Sequence, residues 1–496
     1  MKILSRRQIA DMEMQAEKDG TNLSALMNSA GAAVADKVKD FSAQRIVILC
    51  GKGNNGGDGF VCARLLSAIH KNITVILAAG KPATEIAEKA FNEIPAEVKI
   101  TDIENTEGCR AALSAADLII EAVFGFSFHG VIDGKLAELI CDANKAQAIK
   151  VSVDLPGGVS CDDAYVSGIA FRADYTYTFH ALKPANVSYP AREYCGKTTV
   201  CDIGLSYLLP ENAAMLSVDS EFIKSTLPIF EDTANKGNLG KLLLICGSYG
   251  MAGACILAAK AALRSGIGLL YILIDSRIYP IVAANVPEAV YIPVDFGGDT
   301  AGLKAAVSQA LSSCTACAVG CGLGENSEAL CGTVFSRCRV PLLIDADGIN
   351  YLSRHPQELP SCDILLTPHP GELSRLTGQE IQAIQSSRIN SALSAAKKIN
   401  GTLLLKGAGT IIADQNGRTA VNNTGNSGMA TGGSGDTLSG IIGTLMAQGI
   451  DVFSAAAAGA YIHGTAGDLC AEALSRRSML PSDLIERLPE VFKKYQ

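Results

Sequence analysis

Short apolar runs recur along this chain, and most end in a loop rich in glycine or polar residues. Arg45 to Cys50 is such a run, and residues 51–59 form the loop that follows it. Apolar runs of this length are typical of strands buried on both faces of a parallel sheet. Residues 60–70 and 255–265 have helical spacing, so the pattern predicts βαβ units and an α/β fold. The predicted strands are 45–50, 73–78, 117–123, 148–153, 174–179, 241–246, 269–274, 315–319, 340–344, 364–366 and 402–405.

The length of 496 residues exceeds that of one ordinary domain, so two or three domains are expected. Residues 205–220 carry no strong periodicity, and the boundary is predicted there. The predicted domains are residues 1–212 and residues 213–496.

Composition excludes several classes of protein. The chain has 42 basic and 50 acidic residues, and this balance favours neither nucleic acid nor an anionic membrane surface. No apolar run approaches the length of a membrane span, and Arg6 and Arg7 interrupt any signal-peptide core. We therefore expect a cytoplasmic homo-oligomer that acts on small molecules. Cys314, Cys317 and Cys321 lack the further ligands of a zinc site, so buried thiols are expected.

The stretch from Asn426 to Gly440 predicts an anion site. Its glycines allow backbone N–H groups to turn inward, and an apolar helical pattern begins directly after them. Asp436 stands at this helix N-terminus, where it is either a cap or a base beside a bound phosphate. A cap does not explain the glycines, so we favour the phosphate site, and we expect positive φ at Gly435.

A second glycine loop, 51–59, matches the G-x-G-x-x-G pattern of dinucleotide-binding dehydrogenases. The acid that would bind the ribose is missing, because Ala78 to Lys81 follow the second strand and no acid precedes Glu85. The polar residues of the loop instead suggest direct contact with a ligand or a cation. Loops at the carboxyl ends of later strands add Glu121, residues 125–131, Asp154 and Lys183. Taken individually, Glu121 is explained as a solvated acid, Asp154 as a turn residue and Lys183 as a surface charge.

The first half resembles the epimerase domain of the NAD(P)H-hydrate repair family over about residues 5–210. The resemblance rests on Gly51-x-Gly-Asn-Asn-Gly-Gly-Asp-Gly59 and on Val153-Asp-Leu-Pro-x-Gly-Val159. It implies a catalytic Asp154 assisted by Lys183, and burial is expected to raise the pKa of Asp154. It also implies a potassium ion at Asn55, Glu121 and Gly157, although the family commonly has Asp and Ser at the last two positions. The residues implied to line the hydrated nucleotide site are Asn54, Asn55, Gly56, Gly57, Asp58, Gly125, Phe126, Ser127, Phe128, His129, Gly130, Val131 and Asp154.

The second half resembles ribokinase-like kinases and, more closely, ADP-dependent NAD(P)H-hydrate dehydratases, over about residues 220–494. The matching pieces are Asn235-Lys-Gly, Gly322-Leu-Gly, Asp345-Ala-Asp-Gly, Thr367-Pro-His-Pro-Gly-Glu, Lys406-Gly and Gly432-Gly-Ser-Gly-Asp. The resemblance implies that ADP, together with Mg²⁺, binds at Lys406, Gly407, Ala408, Gly409, Thr410 and Gly435. It implies that the hydrated dinucleotide binds at Ala254, Gly322, His369 and the catalytic Asp436. His369 is equally explained as a structural histidine between two prolines.

Together the two halves predict two three-layer α/β domains, a Rossmann-like epimerase and a ribokinase-like dehydratase. Such an enzyme would interconvert the R and S hydrates of NADH and NADPH and restore the S form with ADP. One rival is a small-molecule kinase whose N-terminal half is regulatory. A second rival is a nucleotide-binding protein without catalysis.

Overall fold

The computed structural model describes residues 1–70, 72–210, 214–233 and 235–495, apart from the side chains of residues 326 and 327. The chain forms two compact units, Met1–Met215 and Leu216–Gln496. The boundary predicted between residues 212 and 213 lies outside the described residues. The α/β class predicted from the apolar runs is confirmed in both units.

The first unit is a parallel sheet with helices packed on it. The strand order is β4-β3-β2-β5-β6-β7-β8, and every neighbouring pair is parallel. The strands of the sheet are β2 (Arg45–Cys50), β3 (Asn72–Leu77), β4 (Lys99–Asp102), β5 (Leu118–Ala122), β6 (Ile149–Val153), β7 (Tyr175–Phe179) and β8 (Lys197–Cys201), and the short strand β1 (Lys2–Ile3) of this unit lies outside that sheet. Its helices are α1 (Arg6–Lys18), α2 (Leu23–Val38), α3 (Asn54–Ser67), α4 (Glu85–Asn92), α5 (Thr106–Ala115), α6 (Gly134–Lys145), α7 (Pro184–Val187) and α8 (Arg192–Cys195).

The first glycine loop is shorter than the sequence predicts, because helix α3 begins at Asn54 instead of residue 60. The turn before it is tight: a Cβ on Gly56 would lie 1.9 Å from the carbonyl oxygen of Gly51. Two glycines therefore let the chain turn directly from β2 into α3. Asn54 to Asp58 consequently lie on the first turns of a helix, at the carboxyl edge of the sheet.

The second unit contains a larger mixed sheet. Strands β10 to β16 pair in parallel, and β16, β17 and β18 pair antiparallel, in the order β18-β17-β16-β15-β14-β13-β10-β11-β12. Residues 414–417 form the hairpin turn between β17 and β18. The strands are β9 (Met215–Ser217), at the division between the units, β10 (Lys241–Ile245), β11 (Leu269–Asp275), β12 (Val290–Val294), β13 (Ala316–Val319), β14 (Leu342–Ile344), β15 (Ile364–Leu366), β16 (Thr402–Leu405), β17 (Thr410–Asp414) and β18 (Thr419–Asn422). The helices are α9 (Ser220–Thr226), α10 (Ala252–Arg264), α11 (Tyr279–Asn285), α12 (Thr300–Ser312), α13 (Ser327–Arg337), α14 (Asp347–Arg354), α15 (Pro370–Thr377), α16 (Ile381–Ser386), α17 (Arg388–Ile399), α18 (Ser434–Ala447), α19 (Val452–Ala473) and α20 (Pro481–Phe492).

Helix α18 crosses the core of the second unit. Every residue from Thr437 to Ala447 is buried. Its neighbour α10 approaches closely, since a Cβ on Gly440 would lie 2.1 Å from the carbonyl oxygen of Ala258. This packing fixes the N-terminus of α18 at the carboxyl edge of the sheet. Cys314, Cys317 and Cys321 are buried free thiols, as predicted.

Among the residues described, none of the helices combines the length and the apolar character that crossing a bilayer requires.

Candidate active sites

A buried ion pair forms the centre of the first site. Asp154 directly follows β6, and Lys183 follows β7, the next strand of the sheet. The Nζ of Lys183 lies 2.5 Å from Oδ1 of Asp154, and it also donates to Thr178 Oγ1 and to the carbonyl of Phe179. Lys183 is 0% exposed and Asp154 3% exposed. The structure therefore contradicts the explanation of Lys183 as a surface charge.

The Lys183 ammonium determines the charge of Asp154. Burial alone would raise the pKa of Asp154, but the nearby ammonium and the N–H groups of Phe126 and Phe179 outweigh it. The pKa of Asp154 is therefore below its usual value. The raised pKa predicted from the sequence is wrong, because that argument counted burial without the buried cation.

Only the beginning of loop 125–131 reaches this ion pair. The N–H of Phe126 donates to Oδ2 of Asp154 over 2.8 Å, and a Cβ on Gly125 would lie 3.0 Å from the same oxygen. Ser127, His129, Gly130 and Val131 are exposed. The first part of the loop is thus fixed against Asp154, whereas most of the remaining loop residues are exposed.

The first turns of α3 supply the other polar groups. Asn55 donates its amide to the carbonyls of Phe124, over 2.8 Å, and Val153, over 3.3 Å. Burial, with the negative charges of Asp154 and Glu13, holds the pKa of Asp58 well above its usual value. Gly57 faces Met27, and Asn54 accepts a hydrogen bond from Thr84. Asn55 and Asp58 are therefore the members of this group that border the Asp154 site.

The residues implied for potassium do not fit such an ion. Glu121 is completely buried, and its carboxylate accepts from the N–H of Val123, the hydroxyl of Ser152 and the N–H of Gly157, over 2.9 to 3.1 Å. Burial raises the pKa of Glu121 to about 7. Gly157 has no side-chain oxygen, and Asn55 presents its NH₂ group to the neighbouring carbonyls. A hard cation needs several converging oxygens that are free to coordinate it, whereas the Glu121 oxygens already accept hydrogen bonds.

The second site is built on the N-terminus of α18. Gly433 precedes the helix with φ of 95°, whereas Gly435 lies within the first helical turn. The positive φ predicted for Gly435 is therefore wrong, and Gly433 is the glycine that the turn requires. A Cβ on Gly435 would lie 3.3 Å from Nζ of Lys406, so a side chain there would require the Lys406 ammonium to shift. The N-cap position is Gly433, which makes no side-chain cap bond, and Asp436 lies in the first turn instead of capping it.

Sequence reasoning missed the partner of Lys406. Asp345, at the end of β14, lies 2.6 Å from Nζ of Lys406 and also accepts from the hydroxyl of Ser439. Burial alone would raise the pKa of Asp345, but Lys406 outweighs it, and the pKa is lowered. The Asp345-Ala-Asp-Gly motif was noted in the sequence. Its position at a strand end was the available signal that Asp345 belongs to the site.

Asp436 differs from Asp345 in its electrostatic surroundings. Burial and the negative charge of Asp345 together raise the pKa of Asp436 to about 6, against the opposing effects of Cys321 and Lys406. Asp345 is already neutralised by Lys406, so Asp436 is the carboxylate of this pair that can gain and lose a proton near neutral pH. This separation of pKa values is what a general base requires.

A buried arginine supports the predicted nucleotide loop from below. Arg388 donates to the carbonyls of Leu405 and Lys406 over 3.3 Å and to that of Gly409 over 3.5 Å. Burial lowers the pKa of Arg388 to about 10. Gly407 and Ala408 are exposed, and Gly407 has φ of 139°. The loop is thus held at its base and open at its tip.

The residues implied for the hydrated dinucleotide are not all together. A Cβ on Gly322 would lie 2.9 Å from the Cβ of Ala254, and neighbouring Cys321 contacts Asp436, so the first turns of α10 and α18 meet at the loop that follows β13. His369 is half exposed and caps α15: its Nδ1 accepts from the N–H groups of Gly371 and Glu372. His369 therefore has a structural role as a helix cap, and its role in binding the dinucleotide stays a prediction; no described contact joins it to Asp436.

Mg²⁺ would have to arrive with a nucleotide. No group of three or more His, Cys, Asp or Glu residues in the described part of the chain forms a metal cage. Mg²⁺ commonly needs only one or two carboxylates besides substrate phosphates, and Asp436 is a carboxylate without a cationic partner of its own. The donor set therefore fits an ion held mainly by phosphates.

Two family models match successive parts of the chain. One, described as YjeF-related protein N-terminus, matches residues 23–185, and the other, described as NAD(P)H-hydrate dehydratase, matches residues 242–490. The first range contains Asp154 and Lys183, and the second contains Asp345, Lys406 and Asp436.

Curated relatives span nearly the whole chain. The bifunctional NAD(P)H-hydrate repair enzyme Nnr of Thermofilum pendens is 34% identical over 492 residues, which cover 96% of this chain and 93% of that protein. Its counterpart in Coxiella burnetii is 35% identical over 493 residues, which cover 98% of both. The ADP/ATP-dependent NAD(P)H-hydrate dehydratase of Bacillus subtilis, co-crystallised with ATP and Mg²⁺, matches with a TM-score of 0.50 and 33% identity, over 56% of this chain and 97% of that one.

Proposed function

This chain belongs to the family of bifunctional NAD(P)H-hydrate repair enzymes, and we propose that each of its domains performs one of two successive reactions. The N-terminal domain interconverts the R and S hydrates of NADH and NADPH. The C-terminal domain dehydrates the S hydrate with ADP and forms AMP and phosphate. The observation that carries the second assignment is Asp436, a carboxylate with a pKa of about 6 on a helix N-terminus beside Lys406.

The dehydration replaces a poor leaving group with a good one. The hydrate carries a hydroxyl on the nicotinamide C6. Asp436 accepts the hydroxyl proton while the oxygen attacks the β-phosphorus of ADP, and the bond to the AMP oxygen breaks. The ring nitrogen lone pair then expels phosphate from C6, and loss of a proton from C5 restores the dihydronicotinamide. Mg²⁺ bound with the nucleotide would supply charge neutralisation at the phosphates.

The groups around Asp436 have different electrostatic roles in this reaction. The N–H groups at the start of α18 and the Lys406 ammonium favour negative charge on the transferred phosphoryl group. Asp345 holds the ammonium 2.6 Å away and remains ionised, because its pKa is lowered. Asp345 is therefore a positioning residue for Lys406, while Asp436 is the catalytic residue.

In the N-terminal domain, epimerisation must loosen the C6 hydroxyl and return oxygen to the opposite face. We assign these proton movements to Asp154 and Asp58, whose pKa values lie on opposite sides of the usual value. The lowered pKa of Asp154 favours its ionised form, which can accept a proton, and the raised pKa of Asp58 favours its protonated form, which can donate one. Two carboxyl groups of opposite protonation are the arrangement that combined acid and base catalysis requires.

Mass spectrometry of the products tests this function against the rival kinase. Purified protein is mixed with NADH hydrate and ADP, and the dinucleotide and nucleotide products are identified. The proposal predicts NADH, AMP and phosphate in equal amounts. A stable phosphorylated product without NADH would establish the kinase instead, and the absence of turnover would favour the nucleotide-binding protein.

A further inference from the structure

Two of the residues implied for potassium are already engaged in hydrogen bonds: Glu121 accepts from Val123, Ser152 and Gly157, and Asn55 donates to two backbone carbonyls. Glu121 lies in the middle of the sheet and is 0% exposed. A buried carboxylate must be compensated by a cation or by hydrogen bonds. Among the described residues, no lysine or arginine forms an ion pair with Glu121, so its compensation comes from neutral donors.

These donors belong to the segments that border the substrate site. Val123 begins the segment that leads to loop 125–131, and Gly157 lies three residues after Asp154. Each donates its N–H to a different oxygen of Glu121 over 2.9 Å, and Ser152 Oγ donates over 3.1 Å. One side chain therefore links both segments, which is the structural task that a coordinated ion would perform.

Asn55, in the first turn of α3, also links these two segments. Its amide nitrogen links the carbonyls of Phe124 and Val153. Those carbonyls flank the same two segments, and an amide NH₂ group supplies the positive partner that an ion would otherwise supply. A cation inserted here would have to displace this hydrogen-bonded NH₂ group.

The length of Glu121 and the absence of a side chain at position 157 depend on each other. A Cβ on Gly157 would lie 3.0 Å from Oε1 of Glu121, closer than ordinary van der Waals contact. A serine there would crowd the carboxylate, whereas an aspartate at position 121, one methylene shorter, would leave that space open. The two departures from the family pattern are thus one compensated change.

We propose that Glu121, together with Asn55, replaces the potassium ion in this chain, so that the two substrate segments are held without a bound cation. Glu121 is a positioning residue, since it contacts backbone groups of these segments and no reacting atom. The proposal uses the assignment of the N-terminal domain only to identify these segments as bordering the substrate site.

Hydrogen exchange of the full chain tests the proposal locally and without any assay of catalysis. Exchange is followed by mass spectrometry in peptides covering residues 122–128 and 153–158, in potassium chloride and in tetramethylammonium chloride of equal concentration. For the wild type we expect rates that agree within about twofold between the two salts. Exchange of these peptides that is slower in potassium by more than about twofold would overturn the proposal, because a bound ion stabilises the state that holds it.

The double variant Glu121→Asp/Gly157→Ser provides the matched control. It restores the shorter acid and the hydroxyl, and we expect its exchange in these peptides to slow by about tenfold in potassium. If the variant shows native circular dichroism but no response to potassium, the two positions do not govern cation binding and the proposal fails. Gly157→Ser alone should lower the melting temperature, and adding Glu121→Asp to that variant should restore it. If the effects of the two substitutions on the melting temperature simply add, the two positions do not compensate each other.

Discussion

Removal of the Lys183 ammonium is the sharpest test of the buried ion pair. In the variant Lys183→Met, the carboxylate of Asp154 keeps its hydrogen bonds from Phe126 and Thr178 but loses its cationic partner. Both members of the pair are almost inaccessible to water, so solvent cannot replace the ammonium. Breaking a buried pair on one side typically costs about 3–5 kcal/mol.

The stability lost in Lys183→Met should depend on pH in a defined direction. In the wild type the pKa of Asp154 is lowered, so the pair contributes stability that is present above the usual Asp value and is lost in acid. Without Lys183, burial dominates and raises the pKa of Asp154. The deficit of Lys183→Met should therefore be largest at neutral pH and shrink as acid protonates the isolated carboxyl group.

Hydrogen exchange can measure this deficit within one domain of the full chain. Peptides from β6 and β7 should exchange on the order of 10² to 10⁴ times faster in Lys183→Met at neutral pH, the ratio that corresponds to about 3–5 kcal/mol. Peptides from the second unit serve as an internal control, and Lys99→Met, at an exposed position of β4, serves as the matched variant. A deficit below about 1 kcal/mol, or one that does not change between pH 7.5 and pH 5, would refute the reasoning.

The other expectations concern the second site and the division of the chain. The kcat of the wild-type dehydratase should fall as pH drops below about 6, because protonated Asp436 cannot accept the hydroxyl proton. In Asp345→Asn this fall in kcat should begin at a lower pH, since the variant removes a like charge from the neighbourhood of Asp436. A fall at the same pH in a folded variant would contradict the assignment. Gly435→Val should weaken ADP binding by about tenfold or more in calorimetry, because its Cβ would crowd Lys406, while Gly297→Val in a distant exposed turn should not; equal affinities would place ADP elsewhere. A fragment of residues 1–215 should fold and epimerise without ADP, because this unit has its own sheet and core; an insoluble fragment would show that the units depend on each other for folding.

The strand positions were predictable because a buried strand needs only a short apolar run. Arg45–Cys50, Ile364–Leu366 and Thr402–Leu405 agree with the predicted bounds at both ends. The beginning of α3 was not predictable in this way, because Asn, Gly and Asp are weak helix formers. Close packing of Gly56 against Gly51 overrides that local preference.

The site residues were predictable where a motif marks a strand end, and less so where two distant groups act on each other. Asp345 and Lys406 are separated by 61 positions in the sequence, so no local spacing reveals their ion pair. The direction of the Asp154 pKa shift failed for a related reason: burial was inferred from the strand, but the buried position of Lys183 was not. Charge balance inside a site depends on such pairs, and only the folded chain brings them together.

The central claim is that one chain carries two separable repair activities, and a single time course tests it. A mixture of R and S hydrates is supplied with excess ADP, and the return of the NADH absorbance band is followed for wild type, Asp154→Asn and Asp436→Asn. The account predicts complete recovery of the absorbance with the wild type. With Asp154→Asn it predicts recovery of only the S portion, followed by slow uncatalysed progress. With Asp436→Asn it predicts a rate lowered by a factor of about 10² to 10⁴, although this variant still binds ADP. Complete recovery at the wild-type rate with either variant would contradict it.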